Sequence, residues 1–568
     1  MRASAAVELS QHLDEGSSRR IDGRRWRIAP YVALILIALA LWLAGLEQRA
    51  LWDPDEGRYA EIPREMVASG DWTTPRLNDL LYFEKPPLQY WATAAAYALF
   101  GQHNWTARLW VALTGLGGVL LAFYAGVRLL NLRAALYAAA VLASGVLYFG
   151  LAHINTLDMG LSFFLETVVF GFAIGLRREA SAHERRLWIH VAWAAAGLAV
   201  LSKGLIGLVL PLGALVGYSL LYRDFTIWRK MSPLTGGSLL LLIAVPWFVA
   251  VARANPDFMQ FFFVHEHFTR FLTTQHHREQ PWWFFGPVLV LGALPWTGPM
   301  LVSMWRALAD REGAGFRPFG FLAVWVIVVF SFFSVSGSKL VPYILPVFPA
   351  LALLGARYLD EAPLPRVSRL LCLSAMVPAV AFAVAPYALR VLKADAAGDF
   401  APGLEWEFFS AAALWLAGGV IVLLAARRQN RDAAVIALAL AAMAAHQIAL
   451  VGAAGLAPAK STRALAQQMK PHLGVSTRVY LLQIYPQSLP VYLERTMTLV
   501  EYRGELDFGL TREPHKSVAN METFREMWPG ERDAVAVMTR PMYRELSSAG
   551  LPMTVIAQDV ARIAVRRP

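Results

Sequence analysis

The chain has 568 residues, 57% of them hydrophobic and only 16% charged, with a mean hydropathy of +0.44, so an ordinary soluble domain is excluded and a membrane protein is indicated. A formal charge of +11 and a pI near 9.7 do not point to nucleic acid, because the basic residues gather in short loops between apolar runs, as they do on the cytoplasmic side of membrane proteins. The single cysteine, Cys372, lies within an apolar run; it excludes a disulfide framework and reads as a packing residue.

In chain order, Arg19, Arg20, Arg24, Arg25 and Arg27 precede the first apolar run, and no small-residue cleavage site follows it. This predicts a retained anchor with a cytoplasmic N-terminus. A crossing needs about 20 apolar residues. Thirteen spans are expected, beginning near Pro30, Thr106, Ala134, Met159, Leu187, Leu205, Leu234, Trp283, Phe319, Leu340, Leu370, Phe408 and Ala433. The stretch 87–100 is too short to count, and counting it would invert the side of every later loop. Without it, the basic loops at 128–133, 177–186, 223–230, 306–317, 357–366 and 427–431 all fall on the cytoplasmic side. The opposite side receives 47–105, 153–158, the Ser202-Lys203 turn, 253–282, 336–339, 392–407 and the C-terminal region.

Within the first outer loop, Asp55 is expected to cap a helix in which Tyr59, Ile62 and Met66 share a face. The stretch 87–100 is expected to lie along the membrane surface. Apolar runs stop near Ala457, which predicts a membrane domain over 1–457 and a soluble domain over 458–568. Strand-like runs at 479–482, 498–502, 534–538 and 563–565, with a helical stretch at 462–469, make the second part a small α/β domain. The fold class is therefore an α-helical polytopic membrane protein with a C-terminal α/β domain. No internal repeat stands out, which weighs against a transporter built from two related halves.

Charge is costly in hydrocarbon, so ionisable groups at span ends on the outer side are the candidate chemistry. Asp53, Asp55, Glu56, Glu61, Glu84 and Asp158 converge there. For Asp53, Glu56 and Glu61 a solvated or capping role is as good a reading as a functional one. Asp55 and Asp158 are stronger, since each begins a helical or spanning segment in apolar surroundings, although Asp158 would also serve as the N-cap of its span. Cations are sparse on this face, yet Lys85, Lys203, Arg270 and Lys339 each sit at a membrane boundary. Snorkelling explains one or two of them; together they suit a lipid phosphate held by charge-assisted hydrogen bonds. His265-Glu266-His267, with Glu84, has ligand types for a divalent metal such as zinc, although a closed site needs three or four ligands and two histidines two apart can project to different sides. No other cofactor is called for.

Several stretches are specific enough to carry a resemblance. They are Asp55-Glu56-Gly57-Arg58-Tyr59-Ala60-Glu61-Ile62-Pro63-Arg64-Glu65-Met66, Ser69-Gly70-Asp71-Trp72, Tyr82-Phe83-Glu84-Lys85-Pro86 and Lys203-Gly204. Further ones are Glu266-His267 with Arg270-Phe271, Ser338-Lys339-Leu340 with Tyr343-Ile344-Leu345, and Gly504-Glu505-Leu506. In these the chain resembles the GT-C glycosyltransferases and, within them, the lipid A aminoarabinose transferases. The resemblance implies a sugar donor on undecaprenyl phosphate, a phosphate of lipid A as acceptor, and activity at the periplasmic face of the bacterial inner membrane. Arg58, Tyr59 and Tyr82, within these stretches, join the residues expected to bind substrate, and Tyr343, one turn along the span from Lys339, is placed to donate a hydrogen bond to the same carrier phosphate. Glu166, inside a span, and His265 depart from the family pattern.

An acceptor phosphate is already ionised near neutral pH, so no strong base is needed. The difficulties are departure of the carrier phosphate and the positive charge growing on the sugar ring, both electrostatic. Cations are expected on the leaving group, and Asp55, Glu84 or Asp158 on the sugar, whose 4-amino group is itself cationic. Two other readings stay open: a polyprenyl-phosphate-sugar-dependent protein O-glycosyltransferase, which would need a base near a hydroxyl, and, more distantly, a transporter of lipid-linked sugars, with Glu166 and His446 as its only deep polar groups.

Overall fold

The computed structural model describes residues 32–263, 279–310, 315–392 and 404–568. The chain divides into two units, Met1–Ala44 and Gly45–Pro568. In the first, an apolar helix covers Val32–Leu43.

The second unit opens with helix α1 (Asp55–Ser69), a short hairpin of β1 (Arg76–Leu77) and β2 (Leu80–Leu81), helix α2 (Leu88–Phe100) and helix α3 (Asn104–Leu129). Helices α4 (Leu157–Leu176) and α5 (Ala182–Lys203) pack as an adjacent pair. Among the described residues, eight helices are long and apolar enough to cross a membrane, α3 and α4 included. The others are Pro233–Ala254, Pro318–Val335, Val341–Glu361, Leu364–Ala388, Glu405–Arg427 and Arg431–Lys460. Phe285–Gly292 and Thr297–Ala309 meet at 114° and make a ninth if they form one broken span. Leu132–Ser144 and Ile206–Tyr222 are apolar but shorter, and α5 is long but begins with His183, Glu184, Arg185 and Arg186. Every segment expected to cross is thus helical, and the chain is a multi-pass membrane protein.

The local reasons are ordinary ones. Asn131, Ser181 and Asn430 start helices just after the basic loops, each side chain accepting a backbone N–H three residues on, at 3.0, 3.1 and 3.0 Å. α5 stops at Gly204, whose φ of +78° is a backbone conformation that favours glycine, so that Lys203 stands at the helix end. The stretch at 87–100 does form a helix, α2, whose 13 residues are too few to span. Its Tyr90, Ala94 and Tyr97 are buried while Leu99 and Phe100 are exposed. Cys372 is half-buried, with its thiol 3.7 Å from the Gly419 carbonyl oxygen.

The C-terminal region forms a six-stranded sheet from β3 (Arg478–Leu482), β4 (Thr498–Val500), β5 (Ser517–Val518), β6 (Ala534–Thr539), β7 (Thr554–Gln558) and β8 (Arg562–Arg566). Its order is β5-β4-β3-β6-β8-β7, parallel through the first four and antiparallel at the β8 and β7 edge. The four expected strands are present to within one or two residues; β5 and β7 were not expected. Side chains alternate along β3 and β6 with a period of two. Val479, Leu481, Val535 and Val537 face a cluster that includes Tyr59, Ile62 and Met66 of α1, while Tyr480, Leu482, Ala536 and Met538 face Phe524 and Trp528. The sheet therefore backs α1 with a shared apolar core. Contact is close: a Cβ on Gly57 would lie 2.4 Å from the Ser488 amide nitrogen, so only glycine lets α1 approach there.

Candidate active site

The acidic run that opens α1 separates into two kinds of group. Glu56 is locked into the scaffold. Its carboxylate accepts from Arg49 at 2.5 and 2.8 Å, from Arg108 at 2.8 and 3.0 Å, and from the Trp52 and Asn155 amides at 3.1 and 3.0 Å. Burial pushes its pKa upward, but the guanidiniums of Arg108 and Arg49 outweigh that and hold the carboxyl well below the usual range. Asp53 accepts from the Ser488 amide at 2.7 Å and pairs with Arg562 at 3.4 Å, tying the loop to the C-terminal sheet. Glu61 is fully buried against Arg64, and Glu65 accepts the Asn78 and Asp79 amides at 2.6 and 2.8 Å. None of these acids is a solvated loop charge.

Asp55 differs. It does not cap the helix: the N-cap is Pro54, and Asp55 is the first helical residue, its carboxylate accepting from Arg58 at 3.1 Å while its side chain stays 47% exposed. Anionic groups in a first turn are favoured by the helix dipole, so the position suits a charge without requiring a partner. Arg58 is buried and reaches both Asp55 and Glu505, which in turn accepts from Gln487. Burial opposes the Arg58 charge, but Tyr82, Glu505, Tyr59 and Glu84 around it more than compensate and keep the guanidinium charged. Burial pushes Glu505 up, against the pull of Arg58.

Asp158 and Lys203 form the second half. Asp158 sits in the first turn of α4, after an N-cap at Thr156, so it is not the N-cap of its span. It accepts from the Lys203 ammonium at 2.5 Å, and that ammonium lies 4.7 Å from the centre of the Tyr343 ring. An acid at a helix start and a lysine at a helix end each complement the dipole they meet, and the ring face adds a cation–π contact. The halves adjoin: Tyr59, stacked on Tyr90 at 6.2 Å, feels the charges of Asp55, Arg58, Glu84 and Asp158 together. Arg58 Nε and the hydroxyls of Tyr82 and Tyr90 are buried with no hydrogen-bond partner among the described residues. Unsatisfied donors are uncommon in protein interiors, and here they lie among the charges of Arg58, Glu84 and Glu505.

The remaining expected residues divide. Lys85 donates to the Glu84 carbonyl oxygen at 2.6 Å, within the same loop. Lys339 is buried and donates to the Ser336 carbonyl oxygen at 2.6 Å, so it caps its own turn. Tyr343 faces Lys203 and not Lys339, with which it was expected to act. Arg270, His265 and His267 lie outside the described residues, and with them the metal proposal at Glu84. Glu166 is buried in α4, its carboxylate so near Gly118 that a Cβ there would lie 2.6 Å away. What sequence reasoning missed is the pairing of Glu505 with Arg58. Its only signal was Gly504-Glu505-Leu506 among the resembling stretches.

Residues 465–567 match the family model described as the aminoarabinose transferase C-terminal domain, and residues 28–262 match that of dolichyl-phosphate-mannose-protein mannosyltransferase. The undecaprenyl phosphate-alpha-4-amino-4-deoxy-L-arabinose arabinosyl transferase 1 of Sodalis glossinidius is 38% identical over 338 residues, covering 58% of each chain. The corresponding transferase of Aeromonas hydrophila is 36% identical over 57% of this chain and 59% of its own. The chain thus spans under two thirds of the length of the curated relatives it matches. The crystal structure of ArnT from Cupriavidus metallidurans bound to undecaprenyl phosphate superposes with a TM-score of 0.86 at 36% identity, covering 95% of this chain and 98% of that one. The fold is of the GT-C type, and the chain belongs to the aminoarabinose transferase family.

Proposed function

We propose that the chain transfers 4-amino-4-deoxy-L-arabinose from undecaprenyl phosphate to a phosphate of lipid A at the periplasmic face of the bacterial inner membrane. The observation that carries this reading is the junction of two half-satisfied charge clusters, Asp55-Arg58-Glu505 and Asp158-Lys203-Tyr343, at helix ends. Family members named for that sugar and that carrier support the choice of donor.

In the reaction, the bond from the sugar C1 to the carrier phosphate breaks, the carrier leaves with the electron pair, and an acceptor phosphate oxygen bonds to C1. The acceptor arrives ionised, so the protein supplies charge and position in place of a base. Lys203, with Lys85 and Arg270, holds the leaving phosphate, and the Tyr343 ring keeps the Lys203 ammonium in place. Asp55, Asp158 and Glu84 meet the sugar ammonium and the positive charge developing on the ring. Arg58, fixed by Glu505, positions Asp55 between them.

The match of residues 28–262 to protein mannosyltransferases favours one second reading, transfer to a protein hydroxyl. The match of 465–567 to the aminoarabinose transferase C-terminal domain favours lipid A. Mass spectrometry of lipid A from cells expressing the chain, beside an assay on acceptor peptides, separates them. An aminoarabinose increment on lipid A is expected; modified peptide with unmodified lipid A would overturn the proposal. The same reading has thirteen spans, a cytoplasmic N-terminus and residues 458–568 outside. A reporter fused after Arg463 that reads cytoplasmic would contradict that orientation.

A further inference from the structure

A cavity of about 230 Å³ opens between the end of α2 and the start of α3 on one side and the helices Arg463–Met469 and Ser488–Leu493 on the other. It is separate from the charge clusters above: Asp55, Arg58, Glu84, Asp158, Lys203 and Glu505 take no part in its wall.

That wall is rich in donors. Arg463 and Lys470 line it, and neither has a carboxylate within ion-pair distance among the described residues. Tyr97 also lines it; the residue is only 6% exposed, and its buried hydroxyl has no hydrogen-bond partner among the described residues. Of the two acids present, Glu47 is already engaged by the Trp105 amide at 2.9 Å, and Glu494 is exposed at the rim. Two cations without a carboxylate partner among the described residues, on one concave surface, are the groups that grip a phosphate by charge-assisted hydrogen bonds. The volume is below the roughly 300–1,000 Å³ of sites for whole drug-sized molecules, which suits a head group.

One edge is apolar. His103, in the wall, stacks on Trp105 at 6.3 Å, and Trp105 meets Phe100 at 5.7 Å. Beside them Leu99 and Phe100 are 74% and 53% exposed. Aromatic side chains of this kind gather at the head-group level of a bilayer.

We propose that this cavity is a second binding site, for a phosphate monoester head group, distinct from the site of the carrier phosphate. The assignment does not depend on the transfer chemistry above. Calorimetric titration of the purified full chain with dihexanoyl phosphatidic acid and, separately, with inorganic phosphate tests it. Replacing both cations, Arg463→Gln with Lys470→Gln, should weaken binding by roughly tenfold or more. Each single variant, Arg463→Gln or Lys470→Gln, should weaken it a few-fold, so the test survives if the double variant folds poorly. Lys203→Ala should leave this binding event unchanged. A roughly tenfold preference for the lipid assigns the site to a membrane head group, and equal affinity for inorganic phosphate assigns it to a soluble phosphate; both support the site. Equal affinities of the parent, the double variant and both single variants, or no measurable binding of either probe by the parent, would overturn it.

Discussion

Glu56 and Asp55 are neighbours in sequence and opposites in environment. Glu56 accepts six hydrogen bonds from fixed protein groups and is 1% exposed, whereas Asp55 accepts one from Arg58 and is about half exposed. The same contrast separates Glu56 from Asp158, whose one hydrogen-bond partner among the described residues is an ammonium with two further donors to offer. A charge fully satisfied by the protein has nothing left for a ligand, and a charge held by one exchangeable partner does. By this measure Glu56, Asp53 and Glu61 are scaffold, and Asp55, Asp158 and Lys203 are available for chemistry.

Glu56→Gln should break the comparison most visibly. It leaves the buried Arg49 and Arg108 guanidiniums without their counter-charge, and removing one partner of a buried ion pair costs roughly 3–5 kcal/mol. Thermal unfolding in detergent should show a large drop. The pH dependence follows from the depressed carboxyl. Stability from this cluster is present above the unfolded pKa of roughly 4.3 and is lost as the pH falls through the lower folded value. A variant as stable as the parent at neutral pH would move Glu56 out of the scaffold.

Glu505→Gln should have a smaller effect, since it frees Arg58 from one of two anionic partners and keeps the side-chain shape. A hydrogen bond to a charged group contributes roughly 1.5–3 kcal/mol, so about a tenfold rise in KM for the donor is expected, with little change in unfolding temperature. A loss of stability with an unchanged KM would make Glu505 a strut between the sheet and α1, with no part in positioning Asp55.

How much of this was legible depended on the range of the interaction. The helices were, because a run of apolar residues reports a crossing by itself; β3 and β6 were, because alternating aliphatics flag a half-buried strand. Strand β7 was not, for its Thr554, Val555 and Gln558 are exposed at the sheet edge and carry little pattern. Asp55 and Asp158 stood out as acids next to apolar spans. That Glu56 would be scaffold did not, since its partners Arg108 and Asn155 lie 52 and 99 residues away. Lys339 was legible as a cation at a membrane boundary, but its burial and its hydrogen bond to the Ser336 carbonyl oxygen, which leaves two of its three donors, come only from the fold of its turn.

The division between scaffold and chemistry is tested most directly by measuring two quantities on Asp158→Asn, aminoarabinose transfer to lipid A by mass spectrometry and thermal unfolding of the same preparation. Asparagine keeps the shape of the side chain and removes the charge that meets Lys203 and, in the proposed reaction, the sugar. The account predicts that transfer falls by roughly a hundredfold or more, with an unfolding temperature close to the parent's and far above that of Glu56→Gln. Near-parental transfer by Asp158→Asn, or a loss of transfer that only tracks a loss of folded protein, would contradict it.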